Sequence, residues 1–288
     1  MSTLAEPPVE VADGYRAGRT LPFRVELVRQ LKRRRTMVMG GVLFALPVIL
    51  LVAFQIGGDP GGNNNRVNLM DTATASGTNF AAVNLFAAAG FLLVIPVALF
   101  CGDTVASEAS WSSLRYLLAA PVPRARLLWS KLAVGLSLSL AALVLLPVVA
   151  LLAGTAAYGW GPLQLPTGGS LPTGTAAQRL LIVVAYIMVS QLVTAALAFW
   201  LSTRTDAPLG AVGGAVFLTI IGSVLDEVTA LGDWRHFLPA HWQYAWLDAV
   251  RPQLEWSDMI QGTSLSVTYA LVLFALAFRG FARKDVVS

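Results

Sequence analysis

Six runs of apolar residues, each long enough to cross a bilayer, dominate this sequence and leave few folds open to it. They fall at roughly 36–56, 80–101, 132–153, 180–202, 208–225 and 259–278. A hydrocarbon core of ~30 Å needs about 20 helical residues at 1.5 Å each. None of the runs has a Lys or Arg near its centre, where a charge costs about 2.5–3.5 kcal/mol on insertion. Within lipid the backbone must satisfy its own hydrogen bonds, and runs of this length do so as helices. The pattern predicts an all-α integral membrane protein with six transmembrane helices. Composition agrees, since 56% of the residues are hydrophobic and only 12% charged, against about 25% charged in a soluble domain. Pro47, Pro96 and Pro147 fall inside runs, where they should kink helices without ending them. The fifth run follows Thr205-Asp206-Ala207-Pro208, a cap and a first-turn proline.

Orientation follows from the basic residues. With the N-terminus inside, 16 of the 20 Lys and Arg fall on cytosolic segments; Arg66, Arg179, Arg235 and Arg251 remain outside. That asymmetry places both termini in the cytosol. The eight tryptophans fit the same topology: Trp111, Trp129 and Trp200 at cytosolic ends, Trp160, Trp234, Trp242, Trp246 and Trp256 outside. None lies in mid-span, as an aromatic belt requires. The net charge of +4 therefore reflects membrane topology and does not indicate a nucleic-acid partner. Residues 1–20 are polar and lack the apolar core of a signal peptide, so a disordered cytosolic tail is expected there, ahead of a single membrane domain over 21–284. Cys101 is the single cysteine, which excludes an internal disulfide and any multi-Cys metal site. No Gly-x-x-x-x-Gly-Lys-Ser/Thr phosphate loop is present.

Three segments carry more information. In 23–35, Phe23, Leu27 and Leu31 stack at i, i+4 and i+8 ahead of a basic run, which predicts an N-terminal interfacial helix. The connection after the second run has no Pro or Gly over 103–120 and reads as a helix; Pro121 and Pro123 break it, and the chain restarts helically from Arg124. Glu108, Ser112 and Arg115 share one face of that helix, beside an apolar face of Trp111, Leu114 and Leu118. The third segment, 226–258, is too rich in Trp for a solvated loop, and Leu238, Trp242 and Trp246 at four-residue spacing predict a short helix in the outer interface. His236 and His241, five apart, are off the i, i+4 spacing of a helical metal pair and read as structural.

Glu108-Ala-Ser-Trp-Ser-Ser-Leu114-Arg115-Tyr-Leu117-Leu118-Ala-Ala-Pro121-Val-Pro-Arg124, closing on Lys131, resembles the signature of ABC-2-type transporter permeases. That pattern is approximately Glu-x-x-x-Gly-Thr-Leu, a Leu-Leu pair, Pro, Arg and a final Lys; Ser112 and Ser113 stand where it has Gly-Thr. The Glu26-Leu27 and Arg33-Arg34-Arg35-Thr36 run is also similar to the family, and the resemblance covers about 21–284. It implies two permease chains, identical or related, paired with two cytosolic ATP-binding subunits that hold the ATP and Mg. No cofactor is expected in this chain. The resemblance further implies that 103–126 contains a coupling helix received by the ATPase, with Glu108, Arg115, Pro121, Arg124 and Lys131 as coupling or ATPase-contact residues. It implies outer re-entrant helices in 226–258 and export of a substrate; the bias of 17 Arg to 3 Lys, which a GC-rich bacterial genome tends to produce, points to a bacterial cell membrane. With no charge deep in the spans, an apolar or amphipathic cargo such as a drug, lipid or peptide is favoured.

Polar residues within spans read in two ways. Tyr186, Ser190 and Thr194 recur every four residues with Gln191 beside them, Thr219 and Ser223 do the same in the fifth span, and Asn84 lies in the second. Interhelical hydrogen bonds, worth about 0.6 kcal/mol each, would explain them. So would a substrate path lined by Asn84, Gln191, Thr194, Thr219 and Ser223, and the resemblance favours spans two and five. An intramembrane enzyme would need a catalytic pair at membrane depth, and the sequence offers none there. An ATP-independent channel or proton-coupled transporter would need a buried carboxylate, for which Asp226 and Glu227 are the candidates.

Overall fold

The structure, a computed structural model, describes residues 23–57, 69–110, 123–166 and 168–283. These residues form helices α1 (Phe23–Leu31), α2 (Arg34–Gly57), α3 (Gly77–Ala89), α4 (Val94–Ser110), α5 (Arg124–Tyr158), α6 (Thr173–Ser190), α7 (Leu192–Arg204), α8 (Pro208–Asp226) and α9 (Ser257–Ala282). The one antiparallel ladder among them pairs Leu163 with Leu171 and Gln164 with Ser170. The long apolar helices make this a helical membrane protein. Five stretches are each long and apolar enough to cross a bilayer, with α6 and α7 taken together; α3 and α4, bent by 54°, supply a sixth if they act as one crossing.

The kink expected at Pro96 is a full break: α3 ends at Ala89 and α4 restarts at Val94, which puts Pro96 in the first turn of α4. The break lies at Gly90, where a Cβ would collide with Tyr244 Oη and stand 3.1 Å from Gln243 Nε2. The segment 226–258 thus packs directly on the exposed backbone of the break. Pro47 and Pro147 lie inside unbroken α2 and α5, as expected. The fourth run continues through Gln191, which joins α6 to α7 with helical dihedrals and with hydrogen bonds from its N–H to Ile187 O and from Ala195 N–H to its carbonyl.

α4 and α7 form the centre of the bundle. α7 packs against α4, α8 and α9, while α5 closes on α3, α4 and α2. Phe80, Leu93, Val97, Ala98, Phe199 and Trp246 are among the fully enclosed side chains. α2 and α8 stand at the periphery with broad apolar faces uncovered, including Ile49, Ile56, Leu209 and Phe217.

At the end carrying the α3 N-terminus, Ser76 caps α3 through Asn79 N–H, and Asn79 extends the small hairpin by exchanging two hydrogen bonds with the Gln164 backbone. In 226–258 the predicted short α-helix is replaced by three 3-10 stretches, Thr229–Phe237, Pro239–Trp242 and Ala245–Val250. Pro239 cannot donate to a preceding turn and interrupts any longer helix there. The segment is nevertheless packed: Tyr186 Oη donates to Trp242 O at 2.6 Å, and Trp246 is fully enclosed. His241 Nδ1 lies 2.6 Å from Asp226 Oδ1, which ties the end of α8 to this cap, and the His236 ring packs against His241 and Trp242.

Candidate functional site

A lysine and two glutamates that are far apart in sequence meet inside the protein. Glu26 comes from α1, Glu108 from the last turns of α4 and Lys131 from the third turn of α5; they are 6%, 2% and 3% exposed. Lys131 Nζ donates to Glu26 Oε1 at 2.8 Å and to Glu108 Oε1. Arg29, one turn after Glu26, pairs with Glu26 Oε2 at 2.9 Å and with Glu108. Gln30 Nε2 adds a bond of 3.0 Å to Glu26. Unpaired, each of these charges would cost several kcal/mol to bury; clustered with good geometry they largely offset that cost.

A second clasp lies beside the first. Asp103, also buried, accepts from Arg33 at 2.9 Å and from Arg35, the residues on either side of the α1–α2 turn. Thr36 Oγ1 secures that turn by donating to Gln30 O at 2.7 Å. At the same level Ser202 Oγ of α7 accepts from the Val105 and Ala106 amides of α4 at 3.2 and 2.9 Å. Three carboxylates and four cations thus fasten α1 and the start of α2 to α4 and α5. α4 runs on to Ser110, over the first part of the helix expected from residue 103, and Asp103 and Glu108 are neutralised where they stand.

α1 also meets the bundle with an unexpected face. Glu26 and Gln30 are its buried residues, while Phe23, Val25, Val28 and Leu31 of its apolar surface are exposed. The helix is present as predicted, but its polar side holds it in place and its apolar side is left uncovered. Burial pushes the Glu26 carboxyl up, and Lys131, Gln30 and Arg29 together bring it below its ordinary value of 4.5. Burial likewise pulls the Arg29 guanidinium down, and Glu108 and Glu26 return it above its ordinary value. A carboxyl whose pKa is depressed on folding contributes stability in full above its unfolded pKa and loses it as pH falls through the folded one. The docking of α1 is therefore expected to hold at neutral pH and to fail only below 4.5. Spin-label distances between α1 and α5 across an acid titration check this; loosening near neutrality would contradict it.

The other residues singled out from sequence lie apart from this cluster. Arg124 begins α5 and donates to Ala282 O at 3.3 Å, at the end of α9. Arg115 and Pro121, with most of the expected coupling helix, fall in 111–122 and lie outside the described residues. Glu108 and Lys131 flank that segment but face inward, so neither side chain is open to a partner. Asn84, Gln191 and Thr194 are buried as well; Asn84 Nδ2 donates to Phe80 O at 2.8 Å, within its own helix. Thr219 and Ser223 bond to carbonyls of α8 and sit on that peripheral helix, half-buried.

Sequence reasoning had named Glu108 and Lys131 but left Glu26 as one residue of an interfacial helix, and it gave Asp103, Arg33 and Arg35 no role. The signal was present in two carboxylates, Asp103 and Glu108, continuing a strongly apolar run without a basic neighbour. Such residues require partners from elsewhere in the chain.

No curated protein matches this chain. Residues 62–287, a segment that includes Asp103, Glu108 and Lys131, match a family described as "Protein of unknown function (DUF2705)". That match spans well over half of the sequence, and the chain belongs to the DUF2705 family.

Proposed function

We propose that this chain is the membrane subunit of an ABC-type exporter, driven by a separate cytosolic ATPase. The observation that carries the reading is the buried clasp of Glu26, Glu108 and Lys131. It joins α1 to the two helix ends that flank 111–122, the segment whose sequence resembles an ABC-2 coupling helix. A push on 111–122 would act on α4 and α5 together and, through the clasp, on α1. α4 in turn packs on α7 and α8, which gives such a displacement a route into the spanning bundle.

In this reading the chain crosses the membrane six times, with α3–α4 forming one bent crossing, α6–α7 one continuous crossing, and both termini in the cytosol of a bacterial cell. Two ATP-binding subunits, holding ATP and Mg, dock on two permease chains. The uncovered face of α8, which carries Leu209 and Phe217, would be available to a second chain; Thr219 and Ser223 sit half-buried beside it, and Asn84, Gln191 and Thr194 lie within the packed bundle. The spans hold no charged side chain at their centres, which suits an apolar or amphipathic cargo. A proton-coupled mechanism has less support: Asp226 is paired with His241 at the end of α8, and Glu227 is exposed.

Affinity purification of the chain from native membranes tests the reading. A stoichiometric ATP-binding subunit is the expected companion. A chain that purifies alone across several detergents and nanodiscs would overturn it.

A further inference from the structure

Three arginines converge at the end of the bundle where α7 and α9 terminate. Arg204, Arg279 and Arg283, with Thr203, Leu276 and Gly280, line a cavity of about 530 Å³. No carboxylate lines it, and among the described residues none of the three arginines forms an ion pair. Arg124 reaches the rim through its bond to Ala282 O. Arg204 is fixed in place: its guanidinium carbon lies 5.9 Å from the Trp200 ring centroid, and its flank rests on the bare backbone of Gly280. A Cβ at position 280 would come 3.0 Å from Arg204 Nη2, so glycine there lets the guanidinium lie close against α9.

Basic residues at a helix end are common on the cytosolic side of membrane proteins, and helix C-termini partly neutralise them. Each C-terminus carries about half a negative charge. Those of α7 and α9 therefore offset roughly one of the three positive charges and leave about two, concentrated in one concave site. Guanidinium groups in that arrangement suit the planar, multidentate recognition of a phosphate.

We propose that this cavity binds the phosphate of an anionic phospholipid. The lipid source follows from the wall beside the cavity: Leu276 and Val272, one and two turns back along α9, are exposed apolar side chains. They continue from the charged cavity onto the face of a spanning helix, where acyl chains can lie. Basic pockets between helices at this membrane level bind such headgroups. The site stands whether or not the chain partners an ATPase.

The experiment is native mass spectrometry of the full chain released from nanodiscs containing phosphatidylglycerol and phosphatidylcholine. Phosphatidylglycerol is expected to remain bound preferentially. Each of Arg204→Gln, Arg279→Gln and Arg283→Gln should weaken its retention about fivefold, and the triple variant on the order of a hundredfold. Arg279→Lys, which keeps the charge but loses the fork, should lose less than Arg279→Gln. If the triple variant fails to fold, the Arg279 pair of variants decides, since that side chain is exposed and leaves no buried partner. Equal retention of both lipids, or unchanged retention in the variants, would overturn the proposal. Displacement by millimolar inorganic phosphate would mark a soluble-anion site and overturn the lipid assignment.

Discussion

Lys131→Met is expected to destabilise the chain by about 3–5 kcal/mol, the cost of removing one partner from a buried ionic cluster. Lys131 Nζ stands between Glu26 and Glu108, both almost wholly enclosed. Methionine fills similar space but supplies no charge. The two carboxylates would then share Arg29, whose side chain is 47% exposed and cannot screen both from the interior. Replacing these three charges, as Glu26→Gln, Glu108→Gln and Lys131→Met together, should recover most of the loss, because the one charge left without its partners, on Arg29, is 47% exposed and can turn to water. Equilibrium unfolding in a defined lipid or detergent environment measures both variants. If Lys131→Met alone were neutral, or the triple variant were no better than the single one, the cluster would not be the ionic clasp described here.

How far the sequence led differs between the fold and the site. Apolar run length places the helices well, because the bilayer sets one length for all of them and a run either meets it or does not. Pro96 predicts a kink but not the full break at Gly90. Gly90 yields to Tyr244 and Gln243, more than 150 residues later in the chain, and a long-range contact of this kind leaves no periodic trace at the break. The segment 226–258 shows the same limit: its Trp content marks it as packed, but Pro239 and the irregular 3-10 turns defeat a helical reading. At the site, a local motif pointed to Glu108 and Lys131, whose separation of 23 residues spans the α4–α5 connection. Glu26 lies 105 residues from Lys131. Its own neighbourhood reads equally well as an amphipathic surface helix, and only the fold shows that the polar side of that helix faces inward.

Glu26→Gln is expected to separate ATP hydrolysis from transport once the partner ATPase is in hand. Under the proposed function, force applied at 111–122 reaches α1 through Lys131 and Glu26, while α2 is held independently by Asp103 with Arg33 and Arg35. Glutamine keeps the size of the side chain and still accepts a hydrogen bond from Lys131, so the bundle should fold. It removes the charge that makes the contact strong and leaves Lys131 with Glu108 as its charged partner. A coupling free energy between sites is typically about 1–3 kcal/mol, so transport per ATP hydrolysed should fall about 5- to 150-fold. Basal hydrolysis should change little, since none of these residues belongs to the ATPase. Asp103→Asn supplies the contrast: it loosens the start of α2 without touching the Lys131 contacts, and a smaller loss is expected. Equal effects from the two variants would mean that α1 and α2 move as one piece, and full transport by Glu26→Gln would mean that coupling does not run through the Glu26–Lys131 contact.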